Sequence, residues 1–322
     1  MNLEQIYNKK NPWPARESQQ VLFILDVRTR LEEEVLRGWV AHHANADNRA
    51  FEAPQVCIDL KDERTGFDSG QLVMSLALPD DTLIAPLRIV WTPSEEGALT
   101  LGRLRHLITG DPRKPSPRRG KKILSTAPDR VHLMVGKPDT MANLKQRFEA
   151  HHAVGEASSQ EEFANFVARQ AAVVLDMAER QLKGGRYKMP RHVASAMMAN
   201  SDYNAAVQRL ADEQGKPKDE LMKEASQYMK EMISTPTSFW LDVYARFNTF
   251  CLGLGYEQDI VYDKAAVEKL REVVRNNPSM LLWTHKTYLD GMVVPKVMWD
   301  NDFPMPHMFG GANMNFPGLG YL

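Results

Sequence analysis

The apolar side chains of this sequence change rhythm near Ser159, and that change limits the folds open to it. Upstream they come in short apolar-rich runs, at residues 21–25, 56–60, 87–91 and 131–135, each of strand length. Between the first two runs, Leu31, Val35, Leu36 and Val40 fall at helical spacing over residues 30–42. Strands separated by helical or polar stretches predict a small α/β or α+β unit.

Downstream of Ser159 the period is helical. Ser159 and Glu162 stand at the capping-box spacing. Phe163, Phe166, Val167, Val174, Ala178 and Leu182 follow at intervals of three or four, up to the stop at Gly184-Gly185. Residues 218–232 predict a second helix, with Leu221, Ala225, Tyr228, Met229 and Met232 on one face, ended by Thr235-Pro236. Residues 239–254 predict a third, whose broad apolar face includes Trp240, Tyr244, Phe247, Phe250 and Leu254. Such a stripe is expected to be core. The other reading is an interfacial helix among lipid headgroups, which the sparse polar face of Asp242 and Arg246 disfavours. A helix over residues 265–275 stops at Asn276-Asn277-Pro278, and residues 280–283 then predict a buried strand. The expected class is α/β: a mixed α+β region over residues 1–155, a helical region over 156–255, and the start of a further α/β domain over 256–322.

That last strand would deliver His285 at its tip, with Asp290 five residues on. A neutral imidazole can take a hydroxyl proton, and a carboxylate beside it can orient the ring and stabilise the imidazolium. On a regular helix, residues five apart point about 140° away from each other. The pair therefore needs a turn between them, as where a strand breaks into a helix. The spacing alone is weak, since nine histidines in a chain of this composition give roughly half a match by chance. Three matches occur. His42–Asp47 lies in a polar stretch, and His106–Asp111 runs into the turn Gly110-Asp111-Pro112. Only His285 follows an apolar run. Its plainer reading is a hydrogen-bonded structural histidine.

Other candidates are plainer still. Arg113, Lys114, Arg118, Arg119, Lys121 and Lys122 crowd a Pro-rich stretch read as a loop over residues 111–122. It is either a solvated surface loop or a contact for acidic headgroups. Nucleic acid is disfavoured: no aromatics interleave the basic run, and the net charge of the chain is −1. His151-His152 has no ligand cluster at metal spacing, so no metal is expected, and His192 has no visible partner. Cys57 and Cys251 sit singly in apolar runs and read as inert thiols of a reducing compartment. Gly253-x-Gly255 is too short for a phosphate loop. Gly310 and Gly311, followed by Asn313, could let the backbone approach a ligand, or form an ordinary turn. No signal-peptide pattern is evident and no run nears the ~18 apolar residues of a spanning helix.

The stretch Leu281-Leu282-Trp283-Thr284-His285-Lys286-Thr287-Tyr288-Leu289-Asp290-Gly291, with the later segment from His307 to Phe316, resembles the membrane-associated glycerol-3-phosphate acyltransferases, the PlsB type of bacteria. Leu87-Arg88-Ile89-Val90-Trp91, Gly110-Asp111-Pro112 and the basic run to Leu124 are similar to the amino-terminal region of its actinobacterial branch. The resemblance implies a glycerol-3-phosphate 1-O-acyltransferase with acyl-CoA or acyl carrier protein as co-substrate and no cofactor. His285 would be the general base, Asp290 its partner, and Gly310, Gly311 and Asn313 substrate contacts. The family's second block, with Gly, Phe and Arg, and its later blocks have no counterpart up to Leu322. The acyltransferase domain is thus expected to be incomplete, and this chain alone to transfer little acyl group. The implied location is peripheral, on the cytoplasmic face of the cell membrane, with an anionic lipid surface as partner and no nucleic acid. Alternatives are a non-catalytic membrane- or partner-binding fragment, or another acceptor such as dihydroxyacetone phosphate or a lysophospholipid.

Overall fold

A computed structural model of the 322-residue chain describes residues 3–15, 20–46, 53–60, 70–93, 110–151, 159–187, 193–198, 200–232, 237–256, 259–277, 279–282, 284, 286–287 and 289–306. The class is mixed α/β, as the sequence predicts. The chain divides into two compact units. One comprises Met1–Glu179 with His192–Glu224, the other Arg180–Arg191 with Ala225–Leu322.

The first unit is built on a five-stranded mixed sheet. In chain order its elements open with α1 (Glu4–Tyr7), β1 (Val21–Asp26), α2 (Arg30–Ala46), β2 (Gln55–Ile58), α3 (Gly70–Ser75) and β3 (Leu83–Trp91). Then come α4 (Pro117–Thr126), β4 (Val131–Val135), β5 (Asp139–Thr140), α5 (Met141–His151) and α6 (Gln160–Lys183). The strand order is β2-β1-β3-β4, with β5 also on β3. β1 pairs in parallel with β2 and β3, and β3 is antiparallel to β4 and β5. All residues of β1 and β3 are buried, because helices cover both faces. Phe23, Leu25, Leu87 and Trp91 face Leu36 and Trp39 of α2. Leu22, Ile24 and Ile84 face Leu144 and Phe148 of α5 and Leu175 of α6. Alternate residues serve opposite cores, as a period of two requires.

Two expectations are corrected here. β3 begins at Leu83, four residues before the expected run, and continues through Pro86. Pro86 falls between the residues paired with β5, Leu83 and Ile84, and those paired with β4, Leu87 to Trp91. A missing N–H at that gap costs no ladder bond. The basic stretch is also not simply a loop, since α4 occupies Pro117–Thr126 with Ser116 at the N-cap position and Pro117 at its start. Gly120, Ile123 and Leu124 are buried under it. A Cβ at Gly120 would come within 2.7 Å of the Leu31 side chain, so α4 lies close against α2.

α6 carries the predicted capping box. The Ser159 amide donates to Glu162 Oε2 at 2.8 Å, and the Glu162 amide to Ser159 Oγ at 3.2 Å. Two helices absent from the sequence reading, α7 (Val193–Met198) and α8 (Ser201–Gln214), complete this unit together with the start of α9 (Lys218–Met232). Asn200 caps α8 by accepting from the Asp202 and Tyr203 amides.

The second unit contains α10 (Ser238–Gly255), α11 (Lys264–Asn276) and α12 (Asp290–Asp300), and α10 packs on α12. Helices 10 and 11 are capped at their starts by Thr237 and Asp263. α10 buries Ser238, Leu241, Ala245, Asn248 and Leu252. Phe247, Phe250 and Leu254, expected in the core, are exposed. The reason is that α10 is apolar nearly all round, so its period cannot select a face. The strand expected over residues 280–283 is also absent from the described part, residues 280–282. Met280 and Leu282 are 75% and 88% exposed. Among its described residues this unit has no strand, and a lone strand has nothing to pair with.

Candidate active site

Asp290 is the candidate site residue that the structure describes at the predicted motif. His285, Gly310, Gly311 and Asn313 lie outside the described residues. Asp290 opens α12. Its Oδ2 accepts the amides of Lys286 at 2.8 Å and Thr287 at 2.9 Å, and Thr287 Oγ1 donates to its Oδ1 at 3.4 Å. The Asp290 amide in turn donates to the Thr287 carbonyl at 3.2 Å. The chain therefore turns tightly into the helix, around the carboxylate. A negative charge there is favoured by the amino-terminal end of the helix dipole.

The same helix holds Pro295 in its interior. Proline has no N–H to give the carbonyl four residues earlier, which is that of Gly291. The Tyr244 hydroxyl of α10 donates to that carbonyl at 3.4 Å. One turn further along α10, Asn248 is buried, and its Nδ2 has no partner among the described residues.

Sequence reading missed the anchor at the other end of α12. Asp302 has φ +58°, in the left-handed region. Its carboxylate accepts the Gly185 amide at 3.1 Å, the Arg186 amide at 3.3 Å and Arg186 Nε at 3.1 Å. Partial burial pushes its pKa up, but these donors outweigh that, and the net shift is downward. Gly184 and Gly185 permit the approach: a Cβ on Gly185 would come within 2.8 Å of the Asp302 carbonyl oxygen. The Arg186 guanidinium lies over Trp299, and the Tyr187 hydroxyl donates to Asp242 at 2.7 Å. The segment around Gly185 and Arg186, distant in sequence, is thus fixed to the exit of α12, and Tyr187 ties it to α10.

The first unit holds a second constellation that no local pattern signalled. Arg88, buried in β3, donates from Nε to Asp26 and from Nη1 to Asp176 at 2.5 Å and Glu179 at 2.8 Å. Asp26 also accepts the Leu60 amide at 2.9 Å. Burial works against the guanidinium charge, but the three carboxylates more than offset it and hold Arg88 protonated. Asp26 ends β1 beside β3, where the connections of this sheet diverge; here the network ties α6 to the sheet.

The remaining candidates are placed as follows. Arg113 and Lys114 precede α4, and Arg118, Arg119, Lys121 and Lys122 lie on it. Cys57 is half-buried, and burial pushes its thiol up, away from nucleophilic use. His42 meets Asn8 and His43 meets the Tyr7 carbonyl, both as structural contacts. Gly253 and Gly255 belong to the last turn of α10. Among the described residues, no helix is long and apolar enough to cross a membrane.

Over part of its length the chain is distantly similar to proteins named as acyltransferases. Proteins of Mycobacterium tuberculosis and Mycobacterium bovis that carry the name acyltransferase plsB1 are 29% identical to it over 118 residues. That stretch covers 37% of this chain and 18% of each relative. The dihydroxyacetone phosphate acyltransferase of Mus musculus is 27% identical over 134 residues, 40% of this chain and 19% of its own length. No family model matches the sequence, and no solved structure matches it.

Proposed function

We propose that this chain serves acyl transfer to a phosphorylated glycerol-type acceptor, with glycerol 3-phosphate acylated at its 1-hydroxyl. The donor would be acyl-CoA or acyl carrier protein. His285 takes the hydroxyl proton as the oxygen attacks the thioester carbonyl, and Asp290 orients the imidazole and stabilises its charged form. The thiol of the donor then leaves as the proton is passed on. The turn through Thr287 to Asp290 is the observation that carries this reading, because it gives the five-residue spacing the local reversal a His–Asp pair needs. Gly310, Gly311 and Asn313 are proposed as substrate contacts in the segment that follows. The domain division at residues 155 and 255, with the acyltransferase portion beginning at residue 256, belongs to the same proposal.

The pairing has a direct test by NMR. A neighbouring carboxylate raises the pKa of an imidazole. The His285 ring signal, assigned with His285→Ala, should therefore titrate at lower pH in Asp290→Asn. An unchanged titration would remove the pair. Turnover is read as labelled lysophosphatidate formed from glycerol 3-phosphate and an acyl thioester. Whatever turnover a protein bearing this sequence shows should fall at least ~100-fold in His285→Ala.

A second acceptor is favoured by one observation, the mouse relative named for dihydroxyacetone phosphate. Running both acceptors side by side decides between them by the ratio of kcat/KM.

A further inference from the structure

The first turn of α12 has a gap in its own hydrogen bonding. In a regular helix the carbonyl of Gly291 accepts the amide four residues on. Position 295 is a buried proline, which has no amide to give, and its ring crowds that same carbonyl. With no donor in its own helix, the carbonyl would be free to tilt outward, and the turn that starts at Asp290 would tilt with it.

The Tyr244 hydroxyl closes this gap. Tyr244 is half-buried in α10, which packs on α12, and it donates to the Gly291 carbonyl at 3.4 Å. Its neighbour Ala245 and, one turn away on either side, Leu241 and Asn248 are buried, so the backbone that carries the phenol is set in the unit. A tyrosine brings a donor on a stiff arm with two rotatable bonds, at little cost in entropy. Gly291 directly follows Asp290. Whatever steadies its carbonyl therefore also steadies the direction in which the Asp290 side chain leaves the helix. That carboxylate in turn holds the Lys286 and Thr287 amides at 2.8 and 2.9 Å.

We propose that Tyr244 is a positioning residue for Asp290: its hydroxyl does what the amide at position 295 would otherwise do, and so sets the first turn of α12 with the carboxylate towards His285. The His285 half of this inference rests on the acyl-transfer reading above. Proline at position 295 gives the contact its purpose. With an ordinary residue there, the turn would close on itself, and α10 would have no influence on where Asp290 points.

The test uses residues 1–322 with Tyr244→Phe, with Pro295→Ala and with both, read by NMR and amide hydrogen exchange. Neither substitution changes a charge, and Asp242, Arg246, Lys286 and Lys296 stay in place, so a moved titration reports geometry. Tyr244→Phe should lower the pH at which the His285 ring titrates, part of the way to its value in Asp290→Asn, because a carboxylate raises the imidazole pKa only while it faces the ring. Exchange at the Lys286 and Thr287 amides should quicken roughly 2- to 10-fold, the worth of one net hydrogen bond. Exchange at the Gly185 and Arg186 amides, which bond Asp302, should not change. Pro295→Ala supplies an amide for the Gly291 carbonyl, so in that background Tyr244→Phe should alter neither readout. Tyr256→Phe, which removes an exposed phenol just past the end of α10, should match the parent. The inference is overturned by equal quickening at Gly185 and Arg186, which would mean a general loosening of the unit, or by an effect of Tyr244→Phe that persists undiminished in Pro295→Ala. Where Asp290→Asn moves the His285 titration and Tyr244→Phe does not, the inference falls and the His–Asp pair stands. Where neither moves it, the pair falls, and exchange at Lys286 and Thr287 alone decides whether Tyr244 places Asp290.

Discussion

In the first unit Trp39, Trp91 and Phe23 are fully enclosed between a sheet and its helices; in the second, Phe250 and Leu254 stand 64% and 73% exposed. The first has apolar clusters on both faces of its sheet and a third smaller one around Val207 and Leu221. The second buries single side chains such as Leu241, Met298 and Phe303 without a comparable cluster among its described residues. It relies instead on directional devices: the Asp302 anchor, the Thr237 and Asp263 caps, and the turn at Asp290. Burial is non-directional and scales with area. Caps and carboxylate anchors contribute about 1 kcal/mol apiece and act locally. The first unit should therefore unfold cooperatively and late. The second should open early, and it is the one that carries the candidate chemistry.

The largest effect expected is from Arg88→Met. It leaves Asp26, Asp176 and Glu179 facing one another without their shared cation, and should cost about 3–5 kcal/mol in urea unfolding followed through the tryptophans of the first unit. A loss under ~1 kcal/mol would show that the sheet carries α6 without the network.

Asp302→Asn should cost less, about 1–2 kcal/mol, confined to the second unit. It should also remove a pH dependence. The folded pKa of Asp302 lies below the ordinary aspartate value of ~3.9, so its contribution is full above that value and is lost as pH falls through the folded one. Thermal melts of parent and variant should therefore converge as the pH is lowered towards 2. Parallel curves would assign the anchor to packing rather than charge.

Smallest is Asn248→Leu. Replacing a buried amide that has no partner for its Nδ2 by an apolar isostere should be neutral or stabilising by up to ~1 kcal/mol, measured by differential scanning calorimetry. A clear loss would mean that Asn248 is engaged after all and that the second unit is more tightly specified than its exposed aromatics suggest.

Legibility in the sequence follows the same divide. β1 was readable because a strand buried on both faces must be an unbroken apolar run, β2 and β4 because their alternately buried residues lie in short apolar-rich stretches, and α6 because its capping box is local. The start of β3 was hidden by Pro86, whose tolerance depends on where two other strands end. The buried side of α10 was not readable, since Phe247 and Leu241 are equally apolar and only the neighbouring helix distinguishes them. At the candidate site, the need for a turn before Asp290 could be deduced from spacing alone. The Arg88 partners lie 62, 88 and 91 residues away, and Asp302 lies 117 residues from Gly185, so nothing local encodes either.

Pro295 has a mechanical implication for the helix that begins at Asp290. The ladder that normally joins one turn to the next is interrupted at Gly291, where a phenol from another helix substitutes for the missing amide. The entrance of the helix and its exit are consequently fastened by separate sets of bonds, one around Asp290 and one around Asp302. A carboxylate mounted on such a jointed rod can shift with its own turn while the remainder stays wound.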